Sequence, residues 1–148
     1  MPTIFTIGYE QATQAAVIAA LREAGVEVLA DVRYLPLSRR SGFSKSSLRA
    51  AVEEAGIEYR HLRDLGTPAD GRAAARRGDH AGLARVYAGQ LELPEALKQM
   101  AELRALAEQK HVCLLCYERD AAVCHRSLLF DALLSDFERI DLEPALVA

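Results

Sequence analysis

The chain has 148 residues, 51% hydrophobic and 26% charged, with a formal net charge of −3, enough for one domain with a real core. The acidic balance argues against a broad duplex-binding footprint, which needs a basic excess, but leaves room for a local basic pocket. No run approaches the 18 uncharged apolar residues of a membrane span, and the opening MPTIFTIGYEQ lacks the basic and long apolar regions of a targeting segment.

Four short apolar or alternating runs predict strands: Thr3 to Ile7, Val26 to Val32, Ile57 to Leu62 and Val112 to Cys116, with a weaker fifth at Arg139 to Leu142. Helical spacing lies between them. Thr13 to Ala24 carries Ala16, Val17, Ala20, Leu21 and Ala24 on one face, with Gly25 at the C-terminal cap. Ser44 is placed to cap a helix that buries Leu48, Ala51, Val52 and Ala55 and closes at Gly56. Pro94 suits the first turn of a helix bearing Leu97, Met100, Ala101, Leu103 and Leu106, and Leu128, Leu129, Ala132, Leu133 and Phe137 mark a last one. Alternating strands and helices predict right-handed crossovers and a single α/β domain, with a mostly parallel sheet of four or five strands covered by helices. The glycine-rich stretch from Gly66 to Gly89 interrupts the alternation. It reads as an excursion with a short helix near Ala81 to Ala88, either a lid-like insertion or a solvated, charge-rich surface insert.

In a parallel sheet, ligands bind beyond the carboxyl ends of the strands. Those ends carry Gly8, Tyr9 and Glu10; Asp31 and Arg33 with the loop residues Ser38, Arg39, Arg40 and Ser41; His61 and Asp64; and Cys116, Tyr117, Glu118 and Arg119. Arg33, Arg39, Arg40 and Arg126 can reach one rim, and guanidinium suits bidentate phosphate or carboxylate binding. A helix starting near Cys124 adds free N–H groups and a dipole that favour an anion. The bland alternative pairs some of these arginines with Asp31, Glu118 and Asp120, or leaves them as a solvated face.

Three cysteines, an odd count in a chain too large to need a disulfide framework, fit a reducing cytoplasm. By strand parity Cys113 faces away from Cys116 and belongs to the core. Cys124, beside His125 and Arg126 at a helix start, has the setting of a lowered thiol pKa and is expected to be the most reactive of the three. Three chemistries follow. Cys124 or Cys116 is a nucleophile helped by His125, the two form a reversible disulfide, or Cys116, Cys124 and His125 hold a soft metal. The metal reading is weakest, because there is no second CxxC or HxxxH pair, and no metal or other cofactor is expected. The spacing misses the phosphatase loop, since position 122 is alanine. His125 and Arg126 also have a structural alternative, capping the loop or bonding its carbonyls.

Four elements occur in order: TIGY, DVRYLPLSRRSGFS, YRHLRDLG, and a Cys116-x-Glu118-x5-Cys124-His125-Arg126 signature. Together they resemble the family called domain of unknown function 488, over Thr3 to about Leu134. Members often carry His after the first glycine, where this chain has Tyr9. The resemblance implies an α/β fold with these motifs around one pocket, and no reaction.

The residues support an enzyme, a thiol- or acid/base-dependent hydrolase or transferase. Its substrate is small and anionic: phosphorylated, nucleotide-like or carboxylated. Cys116, Glu118, Cys124 and His125 are the candidate catalytic groups; Gly8, Tyr9, Asp31, Arg33, Ser38, Arg39, Arg40 and Arg126 are the candidate binding groups. The alternative is a non-catalytic module that binds an anion or a nucleic-acid end. Nucleic acid is disfavoured by net charge, no membrane partner is expected, and nothing in the sequence sets an oligomeric state.

Overall fold

The computed structural model describes residues 2–121 and 124–147. Its five strands are β1 (Thr3–Gly8), β2 (Val28–Asp31), β3 (Glu58–His61), β4 (Val112–Cys116) and β5 (Glu138–Leu142), in one sheet of order β3-β2-β4-β1-β5. Every pairing is parallel. The apolar run VCLLC therefore becomes the central strand, buried on both faces, as a continuous rather than alternating pattern requires.

Six helices among the described residues cover the two faces: α1 (Gln14–Glu23), α2 (Lys45–Glu54), α3 (Ala69–Arg76), α4 (His80–Leu91), α5 (Pro94–Gln109) and α6 (His125–Leu133). Helices α1 and α2 bury Val17, Leu21, Leu48 and Val52 against Phe5, Ile7, Leu29, Cys113 and Leu115. Helices α4, α5 and α6 bury Tyr87, Leu91, Leu103, Ala107 and Leu129 against Ile4, Val28, Ala30, Val112 and Leu114. The parity of β4 thus divides between two cores, with Cys113 deep in the first. Each fully buried large aliphatic side chain contributes about 1.5–3 kcal/mol.

Local chemistry sets the helix ends. The Thr13 hydroxyl accepts from the Ala16 N–H at 3.1 Å and caps α1. Ser44 precedes α2 but makes no cap bond; its hydroxyl instead accepts from the Ser38 N–H and donates to the Ser38 carbonyl, closing the loop after β2. In α5 the buried residues are Ala96, Leu103 and Ala107, with Met100 and Leu106 packed beside them, while Leu97 is 54% exposed and Ala101 is exposed too. The apolar face is therefore rotated from the expected one, with Ala96 and Ala107 in the core in place of Leu97 and Ala101. Phe137 lies beyond α6 and is buried in the loop leading to β5.

The 66–89 excursion is built as two helices rather than one short one, and α4 runs longer than the expected 81–88. Gly71, Ala74, Gly82, Leu83 and Tyr87 are buried. The Tyr87 hydroxyl donates to the Leu65 carbonyl at 2.6 Å, and the Gln90 amide donates to the Asp64 carbonyl at 2.9 Å. Both bonds tie α4 to a 3-10 turn at Arg63–Leu65 that follows β3. This side of the excursion packs into the core, and the charged residues of RAAARRGD occupy its other side.

Candidate functional site

The carboxyl ends of β1, β2 and β4 meet at a cavity of about 690 Å³. Of the expected residues, Tyr9, Arg33, Ser38, Arg39, Arg40, Cys116, Glu118 and His125 line it. Gly8, Asp31, Cys124 and Arg126 do not, and the reasons are physical.

Gly8 sits opposite Cys116 in the β1–β4 register, and a Cβ there would overlap the Glu118 carbonyl. Its part is to let the chain after β4 fold across β1, with Tyr9 N–H donating to Cys116 O and Glu10 N–H to Tyr117 O. Asp31 is fully buried and binds Arg33 through both carboxylate oxygens, at 2.8 and 2.7 Å, while also accepting from the Tyr59 hydroxyl. The Arg33 guanidinium donates in addition to the Phe43 carbonyl at 2.6 Å and the Tyr9 hydroxyl at 3.3 Å. Burial alone would lower the Arg33 pKa, but its bonds to Asp31 and Tyr9 raise it above the ordinary value. Most of its donors are thus committed to the protein, and it braces the cavity floor.

Arg126 points away from the rim where an anion was expected. Its guanidinium is 1% exposed and donates to the Glu118 carbonyl at 2.6 Å and the Thr6 hydroxyl at 3.3 Å. It holds the turn after β4 from below, the loop-bonding alternative considered above. Burial pulls its pKa below the ordinary arginine value.

The cavity's positive lining comes from elsewhere. Arg39, Arg40, Arg72 and Arg76 all line it, and none has a carboxylate ion-pair partner among the described residues. Arg40 donates to the Ala12 carbonyl at 2.6 Å and keeps a buried Nε without a partner. Arg72 donates to the Thr67 carbonyl at 2.9 Å and lies near the Tyr34 ring. Arg72, Arg76, Tyr34 and Thr67 were missed from the sequence. The signal for two of them was present, since arginines at 72 and 76 stand four apart and share one helix face. Glu118 is the one acid among the lining residues. Burial raises its carboxyl above the usual carboxylate range.

One wall carries the sulfur and imidazole groups. Cys116 ends β4, Cys124 precedes α6, and their sulfurs are bonded to each other, the second of the three chemistries considered. Both cysteines are buried, so Cys124 is not presented as an accessible thiol. Cys116 Sγ lies 3.6 Å from Glu118 Oε2. His125 Nε2 lies 2.7 Å from the Val32 carbonyl oxygen. A carbonyl only accepts, so Nε2 carries the proton and the Nδ1 lone pair faces Cys124 Sγ at 3.7 Å. Burial pushes the His125 pKa down to about 4, which keeps the ring neutral.

The family model described as Domain of unknown function DUF488 matches residues 13–133. The chain belongs to this family. The DUF488 match takes in the DVR strand end, the YRHL element and the Cys-His-Arg signature, while TIGY precedes it. No curated protein matches the chain significantly. The DUF488 name carries no reaction.

Proposed function

We propose that this chain is an enzyme acting on a small oxyanion-bearing substrate, phosphorylated, nucleotide-like or carboxylated, held in the cavity at the carboxyl edge of the sheet. The observation that carries the reading is the lining itself. Arg39, Arg40, Arg72 and Arg76 line one space without carboxylate ion-pair partners among the described residues, and Cys116, Glu118 and His125 line it too. Four cations converging on one concavity repel each other, and an anion relieves that repulsion while filling their open donors. In this reading the α3–α4 excursion is the lid wall that closes over the ligand. Glu118, with its raised pKa, moves the proton, and once a reductant has opened the Cys116–Cys124 bond, the freed thiolate beside His125 does the bond chemistry.

A second reading, a non-catalytic anion-binding module, is supported by the sulfurs being joined to each other and buried. One experiment separates the two. Inorganic phosphate and nucleotides are titrated against thermal stability, with the native chain and with Arg72→Ala and Arg76→Ala. Binding to the folded state raises stability by RT ln(1 + [L]/Kd), about 2.7 kcal/mol at a ligand concentration of 100 Kd. No shift at millimolar ligand, or a shift that both variants keep in full, rejects the anion site. A shift that is kept by Cys116→Ser and Cys124→Ser, with no turnover of any binding ligand, assigns the module instead.

A further inference from the structure

We propose that Cys116, Cys124 and His125, once the two sulfurs are reduced, bind a single soft divalent cation such as Zn²⁺ on the wall of the cavity. The inference goes beyond the anion reading and does not rest on it. The two Sγ atoms and a ring nitrogen of His125 all lie within 4.8 Å of one another, and all three residues are buried. Cys124 Sγ and His125 Nδ1 are already 3.7 Å apart. Tetrahedral zinc with bonds of about 2.3 Å to sulfur and 2.0–2.1 Å to nitrogen places such ligands about 3.6 Å apart. The Cys116 and Cys124 Cα atoms stand 7.5 Å apart, wider than the roughly 4.4–6.8 Å usual for bridged cysteines. Reduction lets the sulfurs separate toward the roughly 3.8 Å of two thiolates on one ion.

The outer contacts agree. A metal-bound histidine characteristically donates its other ring N–H to a carbonyl or carboxylate, which fixes the tautomer and aims the ligating nitrogen. The Val32 carbonyl does this for His125 at 2.7 Å. The ligands sit on firm elements: Cys116 on the central strand, and Cys124 and His125 at the start of α6, which Arg126 pins to the Glu118 carbonyl. Two thiolates and one dication sum to no net charge, so a buried site is electrostatically tolerable. Cys116 and His125 line the cavity, which places the fourth position on that side, where Glu118 stands. Three protein ligands with one open position is the layout of a zinc ion that polarises a substrate or a water.

The chemistry balances with a phosphine reductant and water. The phosphine gives two electrons to the disulfide and takes the oxygen of one water to become its oxide, and the two protons of that water complete the two thiols. The cation then displaces the two thiol protons to the solvent. The test is a Co²⁺ titration of the full chain, reduced without oxygen and followed by absorption, with Zn²⁺ displacement and a chromophoric chelator in competition. The expected result is one equivalent bound, a thiolate-to-cobalt charge-transfer band, four-coordinate visible bands, and loss of both on adding Zn²⁺. Cys116→Ser, Cys124→Ser and His125→Ala each weaken Zn²⁺ binding by more than about 100-fold, beyond the effect of losing an outer contact. Cys113→Ala leaves the spectrum unchanged, and so does Arg72→Ala, which reports on the anion site alone. If a ligand variant fails to fold, the native spectrum still decides. A reduced native chain that shows no charge-transfer band, or that binds more weakly than millimolar, overturns the proposal. Loss of the phosphate shift in Arg72→Ala with cobalt binding intact overturns nothing in it and supports two separate sites.

Discussion

Arg33 and Asp31, two residues apart in the chain, grip each other through two parallel hydrogen bonds with no more than 5% exposure on either side chain. The DVR element is therefore a buried strut that ties β2 to Tyr59 of β3, to Tyr9 after β1 and to the Phe43 carbonyl.

Removing one partner of a buried pair leaves the other charge uncompensated, at a cost of about 3–5 kcal/mol. Asp31→Ala is expected to lower the unfolding free energy by that amount in urea titration. A loss below about 1 kcal/mol would show that Arg33 finds its counter-charge elsewhere.

Gly8 and Gly89 make a contrasting pair. At Gly8 a methyl group meets the Glu118 carbonyl, so Gly8→Ala must displace the turn after β4 that carries Glu118 and Arg119. The expected cost is about 3 kcal/mol, the upper end for overpacking. Gly89 lies inside α4 with nothing near its missing Cβ. There Gly89→Ala is expected to stabilise by about 0.5–1 kcal/mol. Thermal unfolding of both variants, compared with the native chain, checks both signs.

Asp141 links β5 to β1. It accepts from Arg139 and from Thr6, whose hydroxyl in turn accepts from Arg126. Partial burial would raise its carboxyl pKa, but the bonds from Arg139 and Thr6 hold it below the ordinary value. A depressed acid contributes stability that is present above its unfolded pKa of about 3.9 and lost as pH falls through the lower folded value. The stability gap between the native chain and Asp141→Asn is therefore expected to be full at pH 6 and to shrink below about pH 4. A gap independent of pH would assign the effect to packing.

The bond between Cys116 and Cys124 closes a short loop, with a sequence separation of 8. By chain entropy such a closure is worth about 2.5 kcal/mol. Reduction of the native chain should lower its unfolding free energy by about that much, and Cys113→Ala should show the same drop. An unchanged midpoint on complete reduction would mean the loop is held by its other bonds.

The fold class was legible because apolar runs and helical spacing answer to the same burial that shapes the sheet; even the weak fifth strand is present. The family was legible for a different reason: its motifs sit at strand ends, where close backbone approach at Gly8 and the buried bonds of Asp31, Arg33 and Arg126 restrict residue type. Side-chain direction was harder to read. Arg126 was expected at the rim because a helix N-terminus favours anions, but a hydroxyl and a backbone carbonyl take its two terminal nitrogens beneath the turn, leaving its buried Nε without a partner among the described residues. Arg72 and Arg76 were overlooked because the alanines and glycines around them give no apolar period to mark a helix, so their four-residue spacing went unread. Only the tertiary packing of Ala74 and Tyr87 reveals which side faces the cavity.

The strand order carries a consequence for biogenesis. β1, at residues 3–8, pairs only with β4 and β5, whose partner residues lie at 112–116 and 138–142. It stays without neighbours until residues more than a hundred positions further on have been made, while β2 and β3 can already pair locally. Distant contacts of this kind slow folding and leave an apolar strand open to intermolecular pairing in the meantime. Cys116, at the end of the strand that joins the two halves, and Cys124, at the start of α6, reach their final setting only once β4 has its neighbours.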